Sequence, residues 1–212
     1  MIMQETNKNP KYLILKLICI FILSNILCSC SKASKVEQPE DLPSSRELCE
    51  LIKNKDLINT FHIKGKLSFK SSEEGGNANF EWLHTISTNK ITFYDPLGNF
   101  VLEINQNENN IEAKDSKGNI VKANSIDEIS YAITKVHIPY NLLVYWLKGS
   151  PAPSYHWQIN SFDTANNISS LTQIEWQLKF TYKDKNPIFP SKIEIINTVD
   201  DLKIKFIIKK HL

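Results

Sequence analysis

Glycine is scarce in this 212-residue chain, with six in all, and methionine is scarcer at two. So few glycines exclude collagen-like and glycine-rich chains. No Gly-x-Ser-x-Gly elbow, glycine-rich phosphate loop or dinucleotide fingerprint occurs, which removes the usual sequence marks of hydrolases and nucleotide-binding enzymes. The five histidines (His62, His84, His137, His156 and His211) have neither i, i+4 spacing nor cysteine-rich surroundings, so no metal site is expected. His62 and His84 are placed near each other across a hairpin, as a surface or satisfied pair. Glu73 and Glu74 read as solvated turn residues, and Asp127 and Glu128 as first-turn charges of a helix. No nucleophile–base pair stands out. The chain is therefore not expected to be an enzyme, and no cofactor is implied.

Charge of one sign is also missing. There are 25 basic and 23 acidic residues. Lys8, Lys11, Lys16 and Glu5 fall in residues 1–29, which leaves 22 of each sign in the remainder. A neutral remainder has no bulk attraction for nucleic acid or an acidic membrane, and no nucleic-acid partner is expected. Local basic patches are still open, notably at Lys203, Lys205, Lys209 and Lys210.

The N-terminus carries the strongest signal. A basic segment ends at Lys16, and the apolar run 17–23 follows. That run falls short of the roughly 20 residues of a membrane helix and reads as the core of a secretory signal peptide, residues 1–29. Leu27-Cys28-Ser29-Cys30 resembles the bacterial lipobox, with Leu three residues before the Cys and a small residue directly before it. The resemblance implies lipidation of Cys30 and cleavage after Ser29. Ser31 stands where an Asp retains enterobacterial lipoproteins in the inner membrane, so its presence implies an outer-membrane destination. Several acyl chains, at about 0.8 kcal/mol per CH₂, make such an anchor permanent. Cys19 and Cys28 leave with the signal peptide, so Cys49 has no partner for a disulfide and is read as buried filler.

Residues 30–43 read as the lipidated N-terminus and a tether, and 44–212 as one domain. Ser44 and Glu47 have capping-box spacing before a helix near 45–54. The period then changes to two. Phe61, Ile63, Leu67 and Phe69 alternate with polar residues, as do Ala78, Phe80 and Trp82. Ile91 and Phe93 lead into Asp95-Pro96-Leu97-Gly98-Asn99, and further short strands follow to Ala123. A second capping box at Ser125 and Glu128 opens a helix that His137-Ile138-Pro139 breaks. Another helix carries Leu142, Leu143, Trp146 and Leu147 and stops at Gly149. Strands return around Trp157, along 174–182 around a short break, at 193–196 and at 202–208. The fold expected is mainly β with a helical lid. It has about ten or eleven antiparallel strands in a single curved sheet or incomplete barrel, with helices over the open face.

This order of elements resembles the LolB family of outer-membrane lipoprotein receptors. Phe61-His62-Ile63-Lys64-Gly65-Lys66-Leu67 is similar to the family's opening strand, and Asp95-Pro96-Leu97-Gly98 to its Asn-Pro-Leu-Gly turn. Ile138-Pro139 with Leu143, Trp146 and Gly149 is similar to its lid helix. Asp95 in place of Asn and Tyr140 in place of Leu are departures, and residues 160–175 look shorter and more polar than the family's hairpin. The resemblance implies an apolar cavity under the lid and a monomer anchored through Cys30 to the periplasmic face of the outer membrane of a Gram-negative bacterium. It implies a periplasmic lipoprotein carrier and the acyl chains of cargo lipoproteins as partners. Leu97 corresponds to the exposed leucine needed for release into the membrane. Phe61, Phe69, Phe80, Trp82 and Phe93, with Trp146 and Leu147 in the lid, are the candidate cavity residues. Two rival readings stay open: a lipid-anchored binding module for a small apolar ligand, and a structural envelope lipoprotein.

Overall fold

Residues 43–108, 110–134, 137–183, 187 and 189–211 are described by the computed structural model. The signal peptide, Cys30 and the tether up to residue 42 lie outside the described residues. The chain runs α1 (Ser45–Asp56), β1 (Phe61–Lys70), β2 (Gly75–His84), β3 (Asn89–Tyr94), β4 (Phe100–Asn107), β5 (Asn110–Asp115) and β6 (Ile120–Ala123). Two helices follow, α2 (Ile126–Thr134) and α3 (Tyr140–Trp146). The last strands are β7 (Trp157–Phe162), β8 (Ile168–Gln173), β9 (Trp176–Thr181), β10 (Lys192–Asn197) and β11 (Leu202–His211).

All eleven strands form one sheet in the order β6-β5-β4-β3-β2-β1-β11-β10-β9-β8-β7. Every neighbouring pair is antiparallel. Two runs of consecutive hairpins are therefore joined where the first strand meets the last. The unpaired edges are β6 and β7, the two strands that flank the helical segment. The chain leaves one edge, builds α2 and α3, and enters the other edge, so the helices occupy the connection that bridges the gap. This is an incomplete barrel.

Local chemistry sets the elements. Ser44 Oγ accepts from Glu47 N, and the Glu47 carboxylate accepts from Ser44 N at 2.7 Å, closing the capping box of α1. Helical spacing turns Leu48, Leu51, Ile52 and Lys55 inward, and Lys55 Nζ donates to the Pro187 carbonyl at 3.0 Å. Cys49 lies about 100° round the helix from that stripe and is exposed, which corrects its reading as buried filler. His62 and His84 are also corrected. His84 opposes Phe61 on the inner face, while His62 turns outward to Glu81 at 2.6 Å, so they do not form a pair. No strand was expected at 168–173, and strand alternation around a short break was expected from 174 to 182. The structure has β8 at the first, and a turn at Ile174 and Glu175 separates it from β9.

Gly65 marks a β-bulge between β1 and β11. A Cβ there would meet the Ile207 carbonyl oxygen, and the Phe80 ring at 3.0 Å. The obstruction is backbone and cannot turn aside. Gly65→Ala should cost about 1–3 kcal/mol of stability, measured by urea unfolding; an unchanged midpoint would show that the bulge can open.

Phe61 stacks on His84 at 4.7 Å and meets Phe189 edge-on at 5.7 Å. Burial holds the His84 pKa below the ordinary histidine value, opposed by the hydrogen bond to Asn89, with Lys148 adding to the fall. The folded-state pKa thus lies below the unfolded one, so the unfolded chain binds the proton first as pH falls past about 6.5. Stability should decline between about pH 7 and 5, and His84→Gln should flatten that part of the profile. A slope that survives the substitution would assign it to another group.

Candidate functional site

Alternation along the strands aims one set of residues at the concave face. The registers align Leu67 with Ala78 and Phe206, Phe80 with Phe93, and Phe93 with Leu102. These residues belong to β11, β1, β2, β3 and β4, and together they wall a cavity of about 280 Å³. Ile126 and Ser130 of α2, Ile138, and Tyr140 and Leu143 of α3 cover it. The wall is almost wholly apolar.

Of the sequence candidates, Phe69, Phe80, Trp82 and Phe93 line the cavity. Phe61, Trp146 and Leu147 do not. Phe61 is buried against Trp82, His84 and Phe189. Trp146 and Leu147 are fully buried, and Trp146 lies 5.7 Å from Trp176 in the half of the barrel formed by β7–β10. Gln173 ties them in. Its Oε1 accepts from Trp146 Nε1 at 2.8 Å and from Ala152 N at 3.0 Å, and its Nε2 donates to the Ala152 carbonyl at 2.6 Å. One side of the interior is thus packed solid and the other is hollow. Sequence reasoning missed Leu67, Leu102, Ile104, Ile204 and Phe206, which share strand parity with the candidates and were legible by that signal alone.

The cover is jointed. Glu128 N donates to the Ser125 hydroxyl at 3.1 Å and caps α2. Tyr140 N donates to Asp127 Oδ1 at 2.8 Å and ties α3 to α2. The Tyr140 ring stacks on Trp82 at 5.3 Å, over the cavity wall. Its hydroxyl is buried without a well-formed hydrogen bond among the described residues, and burial pushes its pKa up.

Leu97 stands at the rim. It is 89% exposed, on a turn between Phe93 and Val101, which both line the cavity. Asp95 organises the turn. Its Oδ1 accepts from Leu97 N at 2.8 Å and Asn99 N at 2.9 Å, and its Oδ2 from Asn99 Nδ2 at 2.8 Å. The Asn99 amide and backbone N–H hold the Asp95 carboxyl below the usual range. Gly98 takes φ +95°, which suits glycine. The same net recurs at 115–119 and 163–167, where Asp115 and Asp163 each bind an asparagine four residues on. The residue held at the position of Leu97 is Lys117 in one and Ala165 in the other. Among the described residues no cluster of three His, Cys, Asp or Glu side chains is placed to hold a metal.

Trp146→Ala should cost about 3–5 kcal/mol, as for a large core deletion, whereas Phe93→Ala beside the hollow should cost less than half as much. Urea unfolding of both variants checks this, and equal losses would mean that the two halves are packed alike.

The model of the family described as outer membrane lipoprotein LolB matches residues 59–210. The outer-membrane lipoprotein LolB of Actinobacillus pleuropneumoniae serotype 3 is 25% identical over 202 residues, covering 91% of this chain and 94% of that protein. The serotype 7 protein of the same name matches equally. Among solved structures, a LolA superfamily protein from Nitrosomonas europaea is similar at 10% identity, with 77% of this chain and 91% of that chain covered and a TM-score of 0.45. A putative outer membrane lipoprotein-sorting protein domain from Vibrio parahaemolyticus is similar at 6% identity, covering 77% and 90%, with a TM-score of 0.43.

Proposed function

The chain belongs to the LolB family of outer-membrane lipoproteins, and from that premise we propose that it acts as a receptor. It takes the acyl chains of a lipoprotein from a periplasmic carrier into its cavity and releases them into the outer membrane, with no enzyme chemistry. The chain itself is secreted by residues 1–29 and held at the periplasmic face of the membrane through lipidated Cys30, with residues 31–43 as its tether.

The physical need is plain. An acyl chain of about 16 carbons exposed to water costs on the order of 13 kcal/mol. A dry apolar pocket removes that cost. Passage from carrier to receptor to membrane then requires only a downhill series of affinities, and no nucleotide. The observation that carries this reading is the pairing of an apolar cavity with an exposed leucine held rigidly at its rim. The cavity supplies storage. Leu97, worth about 1.5–3 kcal/mol when buried in lipid, supplies a brief contact with the bilayer.

The cavity, of about 280 Å³, opens to solvent, and in this reading a cargo with several acyl chains calls for α2 and α3 to move outward from the sheet. The same small volume favours a second reading, a binding module that retains one small apolar ligand. That reading leaves Leu97 without a role.

A transfer assay separates them. The carrier is loaded with a labelled lipoprotein and mixed with this chain carrying Cys30→Ala, then with liposomes. Cargo should move to the chain and onward to the liposomes. Leu97→Glu should accept cargo normally and deliver it at least tenfold more slowly, in line with the loss of a contact of about 1.5–3 kcal/mol. Cargo that stays on a loaded carrier would remove the receptor reading and leave the small-ligand module.

A further inference from the structure

The outer face of the sheet beside the Leu97 turn carries a second hollow, of about 310 Å³. Lys66 and Ser68 of β1 sit opposite Asn79 and Asn77 of β2, and on their other side Ser68 sits opposite Lys205 of β11. Pro96 closes the groove, which no carboxylate lines. Asn79 Nδ2 donates to the Asp95 carbonyl at 2.9 Å, so the wall of the groove and the Leu97 turn are fixed to one another. Lys66 has no ion pair among the described residues. Lys205 lies 3.6 Å from Glu194, whose carboxylate is held closer, at 3.0 Å, by Lys192. The groove thus presents one ammonium group without an ion pair, Lys66, and a second, Lys205, that Glu194 of the neighbouring strand meets only at 3.6 Å, together with a hydroxyl and amides around the exposed Ile207. That donor set suits a phosphate.

Depth fixes the source of the phosphate. Consecutive Cα atoms are about 3.8 Å apart, and the headgroup layer on each side of a bilayer is about 5–8 Å thick. With Leu97 entering the acyl edge, Pro96 and the groove behind it lie among the headgroups. We propose that this groove binds the phosphate of an anionic phospholipid and orients the cavity mouth against the membrane while Leu97 inserts. The proposal rests on Leu97 meeting the bilayer, as the receptor reading has it. The neighbouring hairpin tips carry Glu73, Glu74, Asp200 and Asp201, which repel an anionic surface. Attraction is therefore local to the groove and is not a property of the whole edge.

The test uses the chain with Cys30→Ala and needs neither carrier nor cargo. Its binding is measured by flotation with vesicles of phosphatidylcholine alone and of phosphatidylcholine mixed with phosphatidylglycerol. Wild type should prefer the mixed vesicles at low salt and lose the preference at high salt. Lys66→Gln with Lys205→Gln should weaken binding to mixed vesicles about 10- to 30-fold and leave binding to phosphatidylcholine unchanged. Lys53→Gln with Lys179→Gln makes the same charge change elsewhere on the exposed surface and should have at most a small effect. Leu97→Glu should lower binding to both vesicle types. Equal losses from the two lysine pairs would overturn the proposal, because attraction would then be diffuse. So would normal vesicle binding by the groove variant, and if that variant also took cargo slowly from the carrier, the groove would be a dock for an acidic protein. A wild type that shows the groove-dependent preference but accepts no cargo would remove the receptor reading and leave the groove in place.

Discussion

The pairing of β1 with β11 joins two runs of consecutive hairpins into one curved sheet. Each run alone would expose an apolar face, and neither has a second sheet to pack against. Joined, they curl toward one another and leave a single gap between β6 and β7. The bulge at Gly65 lies inside this seam, where Ile207 comes so close that any side chain would strike its backbone. The gap is as much a consequence of the topology as the seam. The helices that bridge it belong to the segment connecting its two edges, so covering the interior requires no additional domain.

What the helices cover is uneven. On the side of β7–β10, Trp146 and Leu147 fill the space against Leu171, Trp176 and Leu178, and each is at most 4% exposed. On the side of β1–β4, Ile126, Ile138 and Leu143 line a hollow that remains between them and the sheet. The bond network of Gln173 anchors the solid side, and removing it would orphan two buried N–H groups at about 1–3 kcal/mol each. The hollow side is held by the Tyr140–Asp127 bond, a ring stack and apolar contact. The two ends of the helical cover are thus held unequally, and in the proposed receptor reading the lightly held end is the one that would yield to a bulky acyl cargo.

Sequence patterning showed which residues face inward and left open what lies in front of them. Parity along β1, β2 and β3 picked out Phe69, Phe80, Trp82 and Phe93. The same parity picked out Phe61, which meets other rings and no void. The helical stripe gave Trp146 and Leu147 an inward face, but only the depth of the barrel beneath them distinguishes filler from lining. The turn at Ile174 was hidden for another reason. A β-branched residue at φ +55° is an outlier that turn rules do not anticipate, so the break along 174–182 had no position in the sequence reading. β8 escaped because its inward set ends on Gln173, a buried polar residue whose partners come from the lid helix and the loop after it. The turn of Leu97 was fully legible, since Asp, Gly and Asn at those positions are what its hydrogen bonds require.

That turn also shows how an exposed hydrophobic residue can be put to use. Leu97 contributes no more than a few kcal/mol to any contact, and a floppy loop would lose much of that in becoming ordered. The Asp95 carboxylate has already fixed the backbone through bonds to Leu97, Asn99 and the Asn99 side chain. Nearly all of the burial energy is then available on contact. The turn at 115–119 has the same scaffold and presents Lys117, so the scaffold does not dictate the residue at its tip. In the proposed reading, an exposed leucine on a pre-ordered frame, beside an apolar cavity and a cationic groove, would make contact that is weak and reversible. On the receptor reading, release of cargo needs that weakness as much as uptake needs the cavity.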